Sequence, residues 1–434
     1  MSLPHRRSAS VIATLVGLLA AGLSGCSSER SGSDGEKPSA PAAAGTTAAK
    51  PAPPKPEGAL GDILVAGRPV TGSEASGHAK VPWRRTYTDG ELYSAVTGYR
   101  SMAFGAAGLE GLLQDEITAG KDVATTIDPA LQRAAFDALR GRKGAAIALD
   151  ARTGEIVALV STPGYDPGTF SGYMTADDKA MKQLRASPDG PLSNKALRNV
   201  ENIGSAAHVI VAATALEKGL LASVDTPTSS PAVFNVPDST ARFAGDPAHC
   251  TDASLRTALR HACSNVFARL AADLGGEALA ATAGAFGFNW DTMDMPLRTW
   301  ASTWPAKPGN PAQLALTADG LFDTKATPVH MAMVMAAVGN GGTRVQPQLV
   351  AAGVGPAPMP ARRAVSRHTA DELRSAIGDS VNAWVPSASV TWALASGSAR
   401  GGRPLAVAVC LSTPTDTTQE AGGIAARLAG AAGR

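Results

Sequence analysis

The chain has 434 residues, 44% of them hydrophobic and 18% charged, and its 39 Lys+Arg against 37 Asp+Glu leave a formal net charge of +2. That balance excludes a nucleic-acid binder working by bulk positive charge. The 46 glycines and 30 prolines argue against a helical bundle, four cysteines exclude a disulfide-dense scaffold, and no apolar run reaches the roughly 18 residues of a membrane span.

In chain order, the first segment is a basic His5-Arg6-Arg7, then an apolar stretch from Val11 to Leu23, then Leu23-Ser24-Gly25-Cys26. A basic start, a short apolar run and a small-residue cleavage site define a secretory signal over residues 1–25. Leu-Ser-Gly-Cys resembles a bacterial lipobox, which implies cleavage before Cys26 and lipid on its thiol and amine. A buried helix or an uncleaved anchor is the plainer alternative. The lipid would hold the chain on the extracytoplasmic face of the cell membrane without crossing it. Residues 26–57 are rich in Ser, Gly, Pro, Ala and Lys and carry no aromatic residue. Such a composition buries too little apolar area to offset the entropy of ordering, so a disordered tether is expected.

Residues 58–120 hold Gly61-Asp62-Ile63-Leu64-Val65 and Tyr93-Ser94-Ala95-Val96-Thr97-Gly98-Tyr99, short β-type runs with glycine breaks. They predict a small, mostly extended leader module. From 121 to 434 the punctuation is firmer. Asp128-Pro129 reads as an N-cap with proline in the first helical position, and Leu131, Ala135, Ala138 and Leu139 form an apolar stripe that ends at Gly141. The runs Ala145–Leu149 and Ile156–Val160 flank Asp150-Ala151-Arg152-Thr153-Gly154-Glu155 and predict a β-hairpin.

The stretch from Ser205 to Leu216 is apolar nearly all round and predicts a helix buried on every side. Thr327-Pro328 opens another helix through Met331 and Met335, stopping at Gly339-Asn340-Gly341-Gly342. A strand over Leu405–Leu411 and a small helix around Ile424–Leu428 close the chain. Together these elements predict an α+β domain, an antiparallel sheet between helical layers. Cys250 and Cys263, in a segment placed outside the cytoplasm, are the expected disulfide pair, and Cys410 reads as a small buried hydrophobe. No Cys/His spacing matches a zinc site, and nothing points to a cofactor.

Several segments resemble the class B penicillin-binding proteins: Thr125-Thr126-Ile127-Asp128-Pro129-Ala130-Leu131-Gln132, the hairpin through Asp150–Glu155, Ser161-Thr162-Pro163-Gly164-Tyr165-Asp166-Pro167, Pro191-Leu192-Ser193-Asn194-Lys195-Ala196, and Ala326 to Gly342. The leader, with Tyr93 and Thr97-Gly98-Tyr99, is similar to the actinobacterial branch. The resemblance implies a serine D,D-peptidase-like fold and an acyl-transferase that cross-links peptidoglycan stem peptides and is acylated by penicillin. That chemistry uses a Ser-x-x-Lys helix start, a Ser-x-Asn loop and a Lys-Thr-Gly strand that receives the substrate carboxylate.

All three motifs depart from the pattern. The nucleophile position reads Gly204-Ser205-Ala206-Ala207-His208, with His208 where the amine belongs, and no Ser-x-x-Lys occurs anywhere in the chain. A neutral imidazole at i+3 could take a hydroxyl proton; a histidine packed in a vestigial cleft is the plainer reading. The second motif falls at Ala262-Cys263-Ser264, so relay hydroxyl and amide clamp are both replaced, and Ser264 and Asn265 are expected in surface or capping roles. The last lysine is Lys325, so no Lys-Thr-Gly follows. Trp392 aligns with the tryptophan on the strand after the motif strand. This leaves Ser387-Ala388-Ser389-Val390 little room for a motif strand, which is expected to be shortened or deleted. A second alignment puts Ala395-Ser396-Gly397 there.

Losses of groups that act as a unit do not degrade gracefully. The expectation is therefore a non-catalytic envelope lipoprotein that binds peptidoglycan, a stem peptide or a cell-wall synthesis protein, and no nucleic acid. The alternatives are an altered Ser205/His208 acyl-serine enzyme and a purely structural protein.

Overall fold

The computed structural model describes residues 55–431, apart from 291–294, 354–358, 379, 385–389, 400–401 and 413–417. The signal, Cys26 and most of the tether lie outside the described residues, as do Ser387, Ala388 and Ser389.

The leader opens with β1 (Ile63–Val65), which pairs in parallel with β2 (Val123–Ala124). Between them the chain forms α1 (Gly90–Thr97), the hairpin β3 (Tyr99–Ser101) and β4 (Gly105–Ala107), and the short α2 (Leu109–Leu112). The helix α1 replaces the extended run expected there. Tyr93–Thr97 is helical, because Leu92, Tyr93, Val96 and Thr97 recur at helical spacing and bury one face. Gly98, at φ 70°, then ends the helix where a side chain would be strained.

The helix α3 (Pro129–Leu139) begins as its sequence requires. Asp128 accepts hydrogen bonds from the backbone N–H groups of Ala130 at 2.8 Å and Leu131 at 3.0 Å, with Pro129 at the first position. The hairpin follows as β5 (Gly144–Asp150) and β6 (Ile156–Thr162), both buried along their length. Its turn is closed by Asp150 Oδ1, which accepts from Arg152 N at 2.8 Å.

After a 3-10 turn over Gly204–Ala207 comes α4 (His208–Glu217), buried from His208 to Leu216. Then follow α5 (Leu255–His261), α6 (Ser264–Leu274), α7 (Pro311–Ala318) and α8 (Pro328–Gly339). The chain ends with β7 (Ser380–Trp384), β8 (Val390–Ala399), β9 (Arg403–Ser412) and α9 (Thr418–Ala431).

These pieces make one five-stranded antiparallel sheet in the order β7-β8-β9-β5-β6. The first hairpin and the last three strands are distant in sequence and meet where β9 pairs β5, Val407 opposite Ala148. The helix α8 packs on β9, β5 and β8, while α9 and α3 pack on the sheet and on each other. Residues Val329 to Val338 of α8 are all buried, as expected of a helix enclosed on every side. The architecture is the α+β arrangement that the sequence predicts.

Candidate active site

The start of α4 is fixed by a backbone crossing. Gly204 N–H donates to Gly320 O at 3.1 Å, and a Cβ on Gly320 would lie 2.0 Å from Gly204 O. Only glycine allows that approach. The crossing also delivers Asp319, the residue before Gly320, to the first turn of α4.

Ser205 sits in the 3-10 turn with 8% of its surface exposed, and its Oγ is buried with no hydrogen-bond partner. His208 is fully buried. Its ring stacks on Phe267, with centroids 3.9 Å apart, and its Nε2 lies 2.9 Å from Asp319 Oδ1. A carboxylate only accepts, so Nε2 carries a proton in this bond. Its Nδ1 also has no partner. Serine and histidine thus share one helix start but are not bonded to each other.

The second-motif segment is shaped by its covalent link. Ala262, at φ 50°, joins α5 to α6, and Cys263 is disulfide-bonded to Cys250 with Cα atoms 5.4 Å apart. Ser264, the first residue of α6, does not face the surface as expected; its Oγ donates to Asp319 Oδ1 at 2.7 Å. Asn265 is likewise not superficial but fully buried, donating through Nδ2 to Pro231 O at 2.7 Å and Cys250 O at 2.8 Å. The one-residue offset that removes Ser264 and Asn265 from the motif register leaves Ser264 half-buried and Asn265 fully inside.

A strand precedes the one with Trp392: β7, paired with β8 through Ser380–Ala395 and Trp384–Thr391, packs against the 3-10 turn of Ser205. It is five residues long against the ten of β8, and its Ser-Val-Asn-Ala-Trp sequence contains no cation. Ala395, Ser396 and Gly397 lie inside the sheet instead. Ala395 pairs with both Ser380 and Val407, Ser396 Oγ donates to Gly378 O at 3.0 Å, and Gly397 abuts Ala429 of α9. Ala395 has both edges spent on neighbours, whereas Ser396 and Gly397 run past the end of β7 and pair only with β9, at Ala406 and Leu405. Trp392 is fully buried and donates from Nε1 to Asn202 O at 2.8 Å, bracing the segment before Ser205. Lys325, whose strand pairs with Asn202, places its Nζ 3.5 Å from Asp323.

The sequence places Ser205 and His208 on one helix start; it does not bring in Ser264, nor Asp319, which joins Ser264 to His208. No motif marks Asp319; the glycine after it was the only local signal. Cys410 is a buried free thiol on β9, its acidity suppressed by burial.

Comparison with known proteins accounts for this fold. Residues 144–426 match the penicillin binding protein transpeptidase domain and residues 60–143 the penicillin binding protein A dimerisation domain. The chain is 31% identical over 349 residues to peptidoglycan D,D-transpeptidase PbpA of Mycolicibacterium smegmatis, covering 71% of this chain and 70% of that protein. It is 32% identical over 329 residues to PbpA of Mycobacterium tuberculosis, covering 68% of this chain and 66% of that protein. The chain thus spans about two thirds of the length of these relatives. Penicillin-binding protein A from M. tuberculosis, solved as an imipenem acyl-enzyme complex, superimposes with a TM-score of 0.76 at 27% identity, covering 86% of this chain and 98% of that one. The D,D-transpeptidase domain from Eggerthella lenta gives 0.73 at 27% identity over 87% and 99%. The chain belongs to the class B penicillin-binding protein transpeptidase family.

Proposed function

We propose that this chain is a non-catalytic member of that family: a lipoprotein held by Cys26 on the extracytoplasmic face of the cell membrane, with residues 26–57 as tether and the transpeptidase-like domain binding peptidoglycan or a cell-wall synthesis partner. The observation that carries this reading is Ser205 Oγ, sealed from solvent and unpaired, with His208 where the family places an amine. A nucleophile needs a base within reach and a path to its substrate. Here the histidine gives its Nε2 to Asp319 and makes no bond to the serine. The named activity of the PbpA relatives on peptidoglycan supports the ligand class. Incubating the purified protein with fluorescent penicillin, followed by peptide mass spectrometry, tests it. No adduct on Ser205 is expected, and a stoichiometric adduct there overturns the reading.

A second reading has one observation in its favour. Asp319 orients His208 so that its Nδ1 is left without a partner, and Ser205 lies one turn before it. In this altered acyl-serine site, Ser205 Oγ would attack a carbonyl while its proton passes to Nδ1. It predicts thioester hydrolysis abolished by Ser205→Ala; failure of the domain to turn over a thioester or to label with a β-lactam removes it.

A further inference from the structure

A cavity of about 350 Å³ lies away from Ser205, between the leader and the transpeptidase-like domain. On the leader side it is bounded by the end of α1, the β3–β4 hairpin and α2; on the other, by Ser161, Tyr165, residues 191–194, Leu197, Arg198, Leu297 and Arg298. The space exists because the leader closes on itself through glycines. A Cβ on Gly98 would lie 2.0 Å from Ala107 O, and one on Gly111 would lie 2.8 Å from Ala106 O. No side chain fits at Gly98 or Gly111, which leaves that part of the leader wall bare. The volume is that of roughly ten waters, at the small end of ligand pockets.

Two features of the lining define what fits. Leu112, Tyr165, Leu197 and Leu297 make an apolar body, and Leu112 is 50% exposed. Arg198 and Arg298 are exposed cations, and among the described residues no acidic residue lines the cavity and neither arginine forms an ion pair. The cavity thus offers an apolar slot beside two cations that no described anion pairs. A peptide's last residue supplies the complement of both: a side chain and a carboxylate.

We propose that this cavity binds the carboxyl-terminal residue of a peptide with an apolar side chain. The proposal is independent of whether Ser205 is acylated, because penicillin labelling reads one site and peptide binding the other. Isothermal titration of the full-length protein with N-acetyl-alanyl-leucine, with its C-terminal amide, and with the form ending in D-leucine tests it. The acid is expected to bind, and the amide at least tenfold more weakly. The double variant Arg198→Glu, Arg298→Glu should weaken the acid at least tenfold, since charge at a binding mouth is reversed. Ser193→Trp should block entry, because Ser193 lines the cavity and is exposed, and only its backbone is used: its oxygen by Ser161 Oγ at 3.1 Å and its N–H by Gly190 O at 3.0 Å. Thermal unfolding of each variant checks that it folds. Preference for the L form assigns the site to a protein chain end, and preference for the D form to a wall peptide. No binding at millimolar peptide, equal binding of acid and amide, or binding unmoved by the charge reversal overturns the proposal.

Discussion

Two clusters of buried polar groups in this molecule differ in how completely they are satisfied. In the leader, Arg85 and Glu110 have fully buried side chains. Arg85 Nε donates to Glu110 Oε1 at 2.5 Å and Nη2 to Gly61 O at 2.8 Å, while Nη1 reaches Asp62; Arg100 Nε donates to Glu110 Oε2 at 3.2 Å. Beside the sheet, Ser205 Oγ, His208 Nδ1 and Thr327 Oγ1 are buried and unpaired. The first cluster is a closed network in which each charge compensates another. The second keeps polar atoms for which stability gives no reason, since an orphaned buried polar group costs about 1–3 kcal/mol. Structure-bearing polarity and site polarity can be told apart by what their removal does.

The largest effect is expected in the leader. Glu110→Gln leaves the Arg85 guanidinium buried without its main counter-charge, which costs on the order of 3–5 kcal/mol. Urea unfolding monitored by circular dichroism measures it. A loss below about 1 kcal/mol would erase the distinction between the clusters.

A fully buried histidine on α8 gives the next effect. Burial holds His330 neutral and lowers its pKa to about 4, only partly opposed by its hydrogen bond to Phe286 O, and nearby Arg344 pushes the same way. The unfolded chain binds the proton from about pH 6.5 downward, whereas the folded chain does so only near pH 4. Stability from this group is therefore complete above pH 6.5 and lost as pH falls toward 4, by about 3 kcal/mol. His330→Gln should flatten that slope, even if the variant is less stable at neutral pH. An unchanged slope would place the acid sensitivity elsewhere.

How far the sequence carries can be seen residue by residue. The helix at Pro129, the hairpin around Asp150–Glu155, the buried α4 and α8, and the closing strand were all legible. Each is set by local chemistry: a cap, a turn, a period. The helix at Tyr93–Thr97 was not, because its β-branched and aromatic residues suit either state and burial decides. At the site, Ser205 and His208 were legible only through the resemblance to the family's nucleophile segment. Asp319 was not, because it arrives through the Gly204–Gly320 crossing, a contact more than a hundred residues apart in the chain. The edge strand Ser380–Trp384 was hidden for a different reason: five residues carry no turn or cap signal of their own, so only pairing with β8 identifies it.

Asp319 offers a middle-sized test. Asp319→Ala removes the acceptor shared by His208 Nε2 and Ser264 Oγ, leaving two buried donors unpaired at a cost of about 1–3 kcal/mol. Adding His208→Phe should recover part of that loss, since a second ring can stack on Phe267 without needing a partner. A double-mutant cycle in urea reads the coupling. Strict additivity would mean that Asp319 and His208 do not act on each other.

The smallest expected effect is the most informative about the cleft. Ser205→Ala deletes a hydroxyl that is buried and bonds to nothing, so no partner is left behind and no large cavity is opened. Unfolding should shift by no more than about 0.5 kcal/mol, and in the stabilising direction if the oxygen is an uncompensated polar atom. A loss above about 1 kcal/mol would show that Ser205 is bonded in solution, with the unpaired His208 Nδ1 three residues on as the candidate partner. That result would join the two orphaned atoms into a working pair and shift the balance toward the acyl-serine reading. A near-zero change, with no penicillin adduct on the parent protein, would leave a transpeptidase scaffold whose nucleophile position no longer serves either stability or chemistry.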